Sequence, residues 1–105
     1  MARHLLAAGH PLTVHSRSAP PVDALVAEGA ARASTPAELA SLSDVVITMV
    51  PDTPDVELVL FGASGVAEGA AAGSLLIDMS TIDPIATRSF AERLASNDVA
   101  MLDAP

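Results

Sequence analysis

A chain of 105 residues has room for one domain, and with half its residues hydrophobic but only two Phe, no Tyr and no Trp its core must be built from Leu, Val, Ile, Met and Ala, as where helices pack closely on a parallel sheet. The net charge of −8, with five Arg and no Lys, excludes a nucleic-acid partner, because nothing would neutralise phosphates along a strand. The lack of Cys excludes disulfide and thiol chemistry, and no run approaches the ~18 apolar residues that span a bilayer, so a cytoplasmic protein without a membrane partner is expected.

Met1 to Ala8 reads as the remainder of a helix, with Met1, Leu5 and Ala8 on one face. Gly9 closes it and Pro11 prevents its resumption. It has no N-cap residue and no lead-in strand, as though the chain started inside an element. The same Gly9, His10 and Pro11 interrupt the apolar run too soon for a signal peptide. Leu12 to His15 predicts a short strand ending at Ser16-Arg17-Ser18, and Pro20-Pro21 opens a helix over Val22 to Glu28, closed by Gly29. Ala31 to Ala33 is long enough for a brief strand. Thr35-Pro36-Ala37-Glu38 is a capping box with Pro at the first helical position, starting a helix to about Leu42.

Asp44 to Met49 is a β-branched apolar run that predicts a strand buried on both faces. Val50 to Pro54 is a loop, and Pro54 opens a helix through Phe61, ended by Gly62. Gly65 to Gly73 is a Gly/Ala connection with room for one helical turn. Ser74 to Met79 predicts a second buried strand, Pro84 starts a helix to about Ser96, and Val99 to Leu102 is a last strand before Asp103-Ala104-Pro105. Alternation at this spacing gives right-handed crossovers, hence an α/β fold with a parallel sheet and helices on both faces.

Ligands of open parallel sheets bind beyond the carboxyl ends of the strands, near the switch in strand order, which selects three loops. Arg17, flanked by Ser16 and Ser18, follows what would be the second strand of a dinucleotide fold. An Arg there offers a cationic fork to a 2′-phosphate, where an acidic residue would favour NAD; an ordinary surface Arg is the equal alternative. Val50-Pro51 can press a stiff apolar surface on a flat ligand or simply lead into the helix, which Asp52, Thr53 or Asp55 can cap. Ser80 and Thr81 can donate to a ligand in the cleft, or Thr81 and Asp83 can cap the next helix. No nucleophile, base or carboxylate pair assembles into a catalytic set, His4, His10 and His15 lack metal-ligand spacing, and His15 reads as a packed or edge histidine.

Taken together and in order, Met1 to His10, Ser16 to Ser18, Asp44 to Asp52, Val59 to Gly62, Gly65-Val66, Asp78 to Thr81 and Asp103 to Pro105 resemble the β-hydroxyacid dehydrogenases: 3-hydroxyisobutyrate dehydrogenase, tartronate semialdehyde reductase and the NADP-binding domain of 6-phosphogluconate dehydrogenase. The resemblance covers essentially the whole chain and implies a Rossmann-type doubly wound parallel sheet lacking its first strand, with residues 1–105 a partial NAD(P)-binding domain and the helical C-terminal domain absent. It implies NADP, with NAD as the alternative, and hydride transfer to or from a short 3-hydroxy or 3-oxo acid, in a parent enzyme that is a homo-oligomer. Arg17 would meet the 2′-phosphate; Val50, Pro51 and Asp55 would line the adenosine-ribose and pyrophosphate side; Thr81 would approach the nicotinamide, with Ser80 beside the substrate. The family's Gly-x-Gly-x-x-Gly turn, its Ser-Gly-Gly segment and its catalytic Lys have no counterpart here, so no catalytic residue is expected in this chain and the chain alone is expected to be inactive. A non-catalytic Rossmann-type nucleotide-binding module, or an inactive truncated product, is the alternative. Loss of a central first strand would either leave two facing rows of unpaired backbone groups or force the sheet to close up.

Overall fold

The computed structural model describes residues 2–16 and 19–104, so the readings that fall on Met1, Arg17, Ser18 and Pro105 lie outside it. Helix α1 (Ala2–Ala7) ends as the sequence requires: Gly9 takes φ +89, and the amides of Gly9 and His10 turn back onto the carbonyls of Leu6 and Leu5. Strand β1 (Thr13–Val14), helix α2 (Ala19–Ala27) and strand β2 (Ala31–Arg32) follow. Gly29, at φ +113, makes the turn between α2 and β2. Helix α3 (Pro36–Ser41) starts under Thr35, whose hydroxyl accepts from the Glu38 amide at 3.1 Å, while the Glu38 carboxylate reaches back to the Ser34 amide at 3.4 Å.

The second part of the chain is more regular. Strand β3 (Val45–Thr48), helix α4 (Thr53–Phe61), helix α5 (Val66–Gly69), strand β4 (Leu75–Asp78), helix α6 (Pro84–Ala95) and strand β5 (Ala100–Asp103) alternate with short connections. Asp52 caps α4 by accepting from the Thr53 amide, and Asp83 caps α6 by accepting from the Ile85 amide, so both aspartates serve the helices that they precede. The turn expected between Gly65 and Gly73 is α5.

All observed pairings are parallel, but the strands form two sheets rather than one: β1–β2, and β3–β4–β5 with β4 in the middle. The two sheets present edges to one another rather than joining. β1 bonds β2 through residues 12 and 14, and β3 bonds β4 through residues 44 and 48. Successive residues of a strand direct their backbone groups to opposite edges, so Thr13, Val45 and Ile47 carry theirs on edges that face each other. Between those edges lies a cleft of about 710 Å³, lined by Leu5 of α1, Val22 and Leu25 of α2, Thr13, Val45 and Ile47.

The core sits on one face of the three-stranded sheet. Val46 and Leu76 point into it and meet Val56 and Leu60 of α4, Val66 of α5, Phe90 and Leu94 of α6, and Val99. Phe61 and Phe90 meet with ring centroids 5.6 Å apart, and Arg93 lies over the Phe61 ring. The reading of Asp44–Met49 as buried on both faces is corrected by the structure: Val45, Ile47 and Met49 are 50%, 37% and 69% exposed. The register explains why. Val45–Leu75–Ala100 and Ile47–Ile77–Leu102 form two rows on the face away from α4, α5 and α6, and β3 is an edge that reaches α1 and α2 only across the cleft. Among the described residues no helix is long and apolar enough to cross a membrane.

Candidate functional site

Parallel strands deliver their carboxyl ends to one side of a sheet, and the residues just past those ends are free of the ladder. Past β1 come His15 and Ser16; past β3 come Met49, Val50 and Pro51; past β4 come Ser80 and Thr81. The first two sets meet. His15, Ser16, Thr48, Val50 and Pro51 line one cavity of about 250 Å³. Pro36 and Leu39 of α3, Val59 of α4 and Val66 of α5 complete its wall, so the cavity is apolar with polar groups only at the strand ends. Its volume lies just below the roughly 300–1,000 Å³ of small-molecule sites, which suits one flat ring system and not a whole dinucleotide.

The third set is joined to the second by hydrogen bonds. The Val50 amide donates to Ser80 Oγ at 2.8 Å, and the Asp83 amide donates to Thr53 Oγ1 at 3.4 Å. Ser80 is thus buried, with its oxygen accepting from Val50, while Thr81 is exposed. Asp55 is half-buried in the first turn of α4. The structure therefore brings Ser16, Val50 and Pro51 onto one cavity and ties Ser80 to them, whereas Asp55 and Thr81 are not in its wall. Arg17 and Ser18 lie outside the described residues. His15 is part-buried, and its Nδ1 stands 3.2 Å from the Ala33 carbonyl, as a packed histidine does.

Two polar residues that the sequence analysis did not single out as site residues pair here, Thr48 in the wall of the cavity and Asp78 beside it. Thr48 and Asp78 are buried at 6% and 0% exposure, and Thr48 Oγ1 donates to Asp78 Oδ1 at 2.9 Å. The signal was available in the sequence: a single carboxylate at the end of the apolar run Leu75-Leu76-Ile77, where any buried charge is costly. Its partner could not be read, because the pairing of Thr48 with Asp78 follows from the strand register.

Comparison with known proteins is consistent with this geometry. A family model described as the NAD binding domain of 6-phosphogluconate dehydrogenase matches residues 1–105. The 2-hydroxy-3-oxopropionate reductase of Escherichia coli is 41% identical over 105 residues, which is 100% of this chain and 36% of that protein. The structure of a Mycobacterium tuberculosis 3-hydroxyisobutyrate dehydrogenase with L-serine is similar at TM-score 0.89 and 29% identity, over 99% of this chain and 35% of that one. A reductive aminase of Aspergillus terreus, solved with NADPH4, cyclohexanone and allyl amine, is similar at TM-score 0.84 and 26% identity, over 97% of this chain and 35% of that one. The chain thus spans little more than a third of the length of the proteins it matches.

Proposed function

This chain belongs to the family of the NAD binding domain of 6-phosphogluconate dehydrogenase, and from that premise we propose that it forms the cofactor side of an NADP-dependent oxidoreductase acting on a short 3-hydroxy or 3-oxo acid. Residues 1–105 are read as a partial cofactor domain of a longer polypeptide, whose remaining part supplies the catalytic group and most substrate contacts. The observation that carries the reading is the meeting of strand ends: the cavity shared by Ser16, Val50 and Pro51, with Ser80 hydrogen-bonded to Val50.

The residues fit a nicotinamide dinucleotide at its adenosine end. Leu39, Val50, Pro51 and Val59 give apolar walls of the right size for one ring system. Pro51, with φ fixed and no N–H, holds the wall rigid. Arg17 is assigned to the 2′-phosphate, with Ser16 and Ser18 as hydroxyl donors, and Asp55, with Val50 and Pro51, to the adenosine-ribose and pyrophosphate side of the cleft. Thr81 is assigned to the nicotinamide end, with Ser80 beside it near the substrate. The cofactor supplies the hydride chemistry, and the protein supplies binding and orientation. Among substrates, a tartronate semialdehyde type is favoured by Asp52 to Glu57 and Asp78 to Thr81, with a 3-hydroxyisobutyrate type second.

The test is a titration of the complete polypeptide with NADPH and NADH, followed by nicotinamide fluorescence. Arg17→Asp is expected to weaken NADPH by about tenfold or more, the scale of one lost charge-assisted pair, and to leave NADH within about threefold. Equal changes for both cofactors would refute the 2′-phosphate assignment. Failure of the unsubstituted protein to bind either would refute the cofactor reading.

A further inference from the structure

Asp78 is the most expensive side chain in the fold, and the sheet does not require it. It lies at the carboxyl end of the middle strand, wholly buried, in register with Thr48 of β3 and Asp103 of β5. The backbone already fixes that register: the Met79 amide donates to the Thr48 carbonyl at 2.8 Å and the Ala104 amide to the Asp78 carbonyl at 2.9 Å. A Val or Thr would keep those bonds without burying a carboxyl group. No ion pair to Asp78 is found among the described residues, and its Oδ2 is buried without a hydrogen-bond partner.

The other oxygen is fully employed. Oδ1 accepts from Thr48 Oγ1 at 2.9 Å and from the Ser80 amide at 3.1 Å. Ser80 Oγ in turn accepts from the Val50 amide at 2.8 Å. Thr48 ends β3 and Val50 follows it by two residues, so the bonds close a ring: Thr48 to Asp78, Asp78 to Ser80, Ser80 to Val50. The ring lies where β3 and β4 release the chain into the loops assigned to the cofactor. A carboxylate can only accept, so it takes the single proton of Thr48 and leaves that residue, which lines the cavity, only lone pairs to show a ligand.

We propose that Asp78 is a positioning residue: through Thr48 and Ser80 its carboxylate holds Val50-Pro51 and Ser80-Thr81 in the one mutual arrangement in which they line the cofactor cleft. The inference rests on the cofactor reading above. It accounts for a buried charge placed where the sheet gains nothing and the ligand-facing loops gain a fixed geometry.

The test uses the complete polypeptide with Asp78→Asn, Asp78→Ala, Thr48→Val and the Asp78→Ala/Thr48→Val double variant, measuring NADPH dissociation constant and thermal midpoint for each. Asn keeps an acceptor for both contacts at Oδ1, so NADPH affinity is expected within about twofold of the parent. Asp78→Ala is expected to weaken NADPH by about tenfold or more in protein still folded at the assay temperature. Thr48→Val opens one arm of the ring and is expected to weaken NADPH less, and the double variant to be no weaker than Asp78→Ala alone, the mark of residues acting as one unit. A lowered midpoint with unchanged affinity in Asp78→Ala would overturn the proposal, since the carboxylate would then serve stability only. If Asp78→Ala does not fold, unchanged affinity in Thr48→Val overturns it. An unsubstituted protein that fails to bind NADPH would overturn the cofactor reading itself and this inference with it, whereas loss of the Asp78 effect alone would leave that reading standing.

Discussion

Gly69→Ala tests the close approach of α5 to α3, because two opposing effects of similar size meet there. A methyl at residue 69 would stand 1.9 Å from the Ala37 carbonyl oxygen, 2.6 Å from its carbon and 2.9 Å from the Ala37 Cα. All three obstacles are backbone of α3, which cannot swing aside as a side chain would. Reaching even the 3.0 Å floor of real Cβ contacts requires α5 to retreat by about 1 Å. Alanine in a helix is favoured over glycine by about 1 kcal/mol, chiefly because the glycine chain loses more freedom on folding. Against this, overpacking costs roughly 1–3 kcal/mol. The retreat also draws Val66, now 1% exposed, off the core, forfeiting part of a burial worth roughly 1.5–3 kcal/mol. The clash prevails by about 1–2 kcal/mol, equivalent to a midpoint fall of about 4–8 °C per kcal/mol in a domain of this size. Circular dichroism melts of Gly69→Ala beside Gly73→Ala decide it. Gly73 has φ +90 but nothing within 4 Å of its would-be Cβ, so its variant suffers only the left-handed backbone, about 1–2 kcal/mol. A Gly69→Ala protein melting at or above the parent would refute the close packing of α5 on α3. Because Leu39 and Val66 line the small cavity from these two helices, NADPH affinity should fall with the midpoint.

Two further outcomes follow from the fold. Thr35→Ala removes the hydroxyl that accepts from the Glu38 amide and should destabilise the protein by about 1 kcal/mol, read as a lowered thermal midpoint, while Thr35→Ser should restore most of it. The 105-residue chain expressed alone should be marginal and prone to associate, because β1 and β3 present unpaired edges and the outer sheet face exposes Val45, Ile47 and Leu102; a monodisperse monomer with a cooperative thermal transition would contradict this.

Much of the fold was legible because Gly and Pro punctuate it. Gly9, Gly29, Gly62, Pro36, Pro54 and Pro84 set helix ends within a residue or two of those observed, since each acts through its own backbone. The resemblance carried by the loop segments agrees with the family match over the whole chain. What depends on distant partners was not legible. The run Asp44 to Met49 is apolar enough to be buried on both faces, yet no local feature reveals that one face has no covering layer. Asp52 and Asp83, read as helix caps, are the caps of α4 and α6. The buried carboxylate that binds the loops together belongs to Asp78, whose neighbours are set by pairing between residues thirty positions apart.

The division into two sheets has a mechanical consequence. Among the described residues no ladder joins β1 to β3, and the first sheet has a ladder of only two residue pairs. The small cavity straddles that joint, taking His15 and Ser16 from one side and Val50 and Pro51 from the other. A ligand seated there acts as a cross-brace. At a hundred times its dissociation constant it would contribute about 2.7 kcal/mol, comparable to the destabilisation expected for Gly69→Ala, and it would stiffen the joint that the backbone leaves loose.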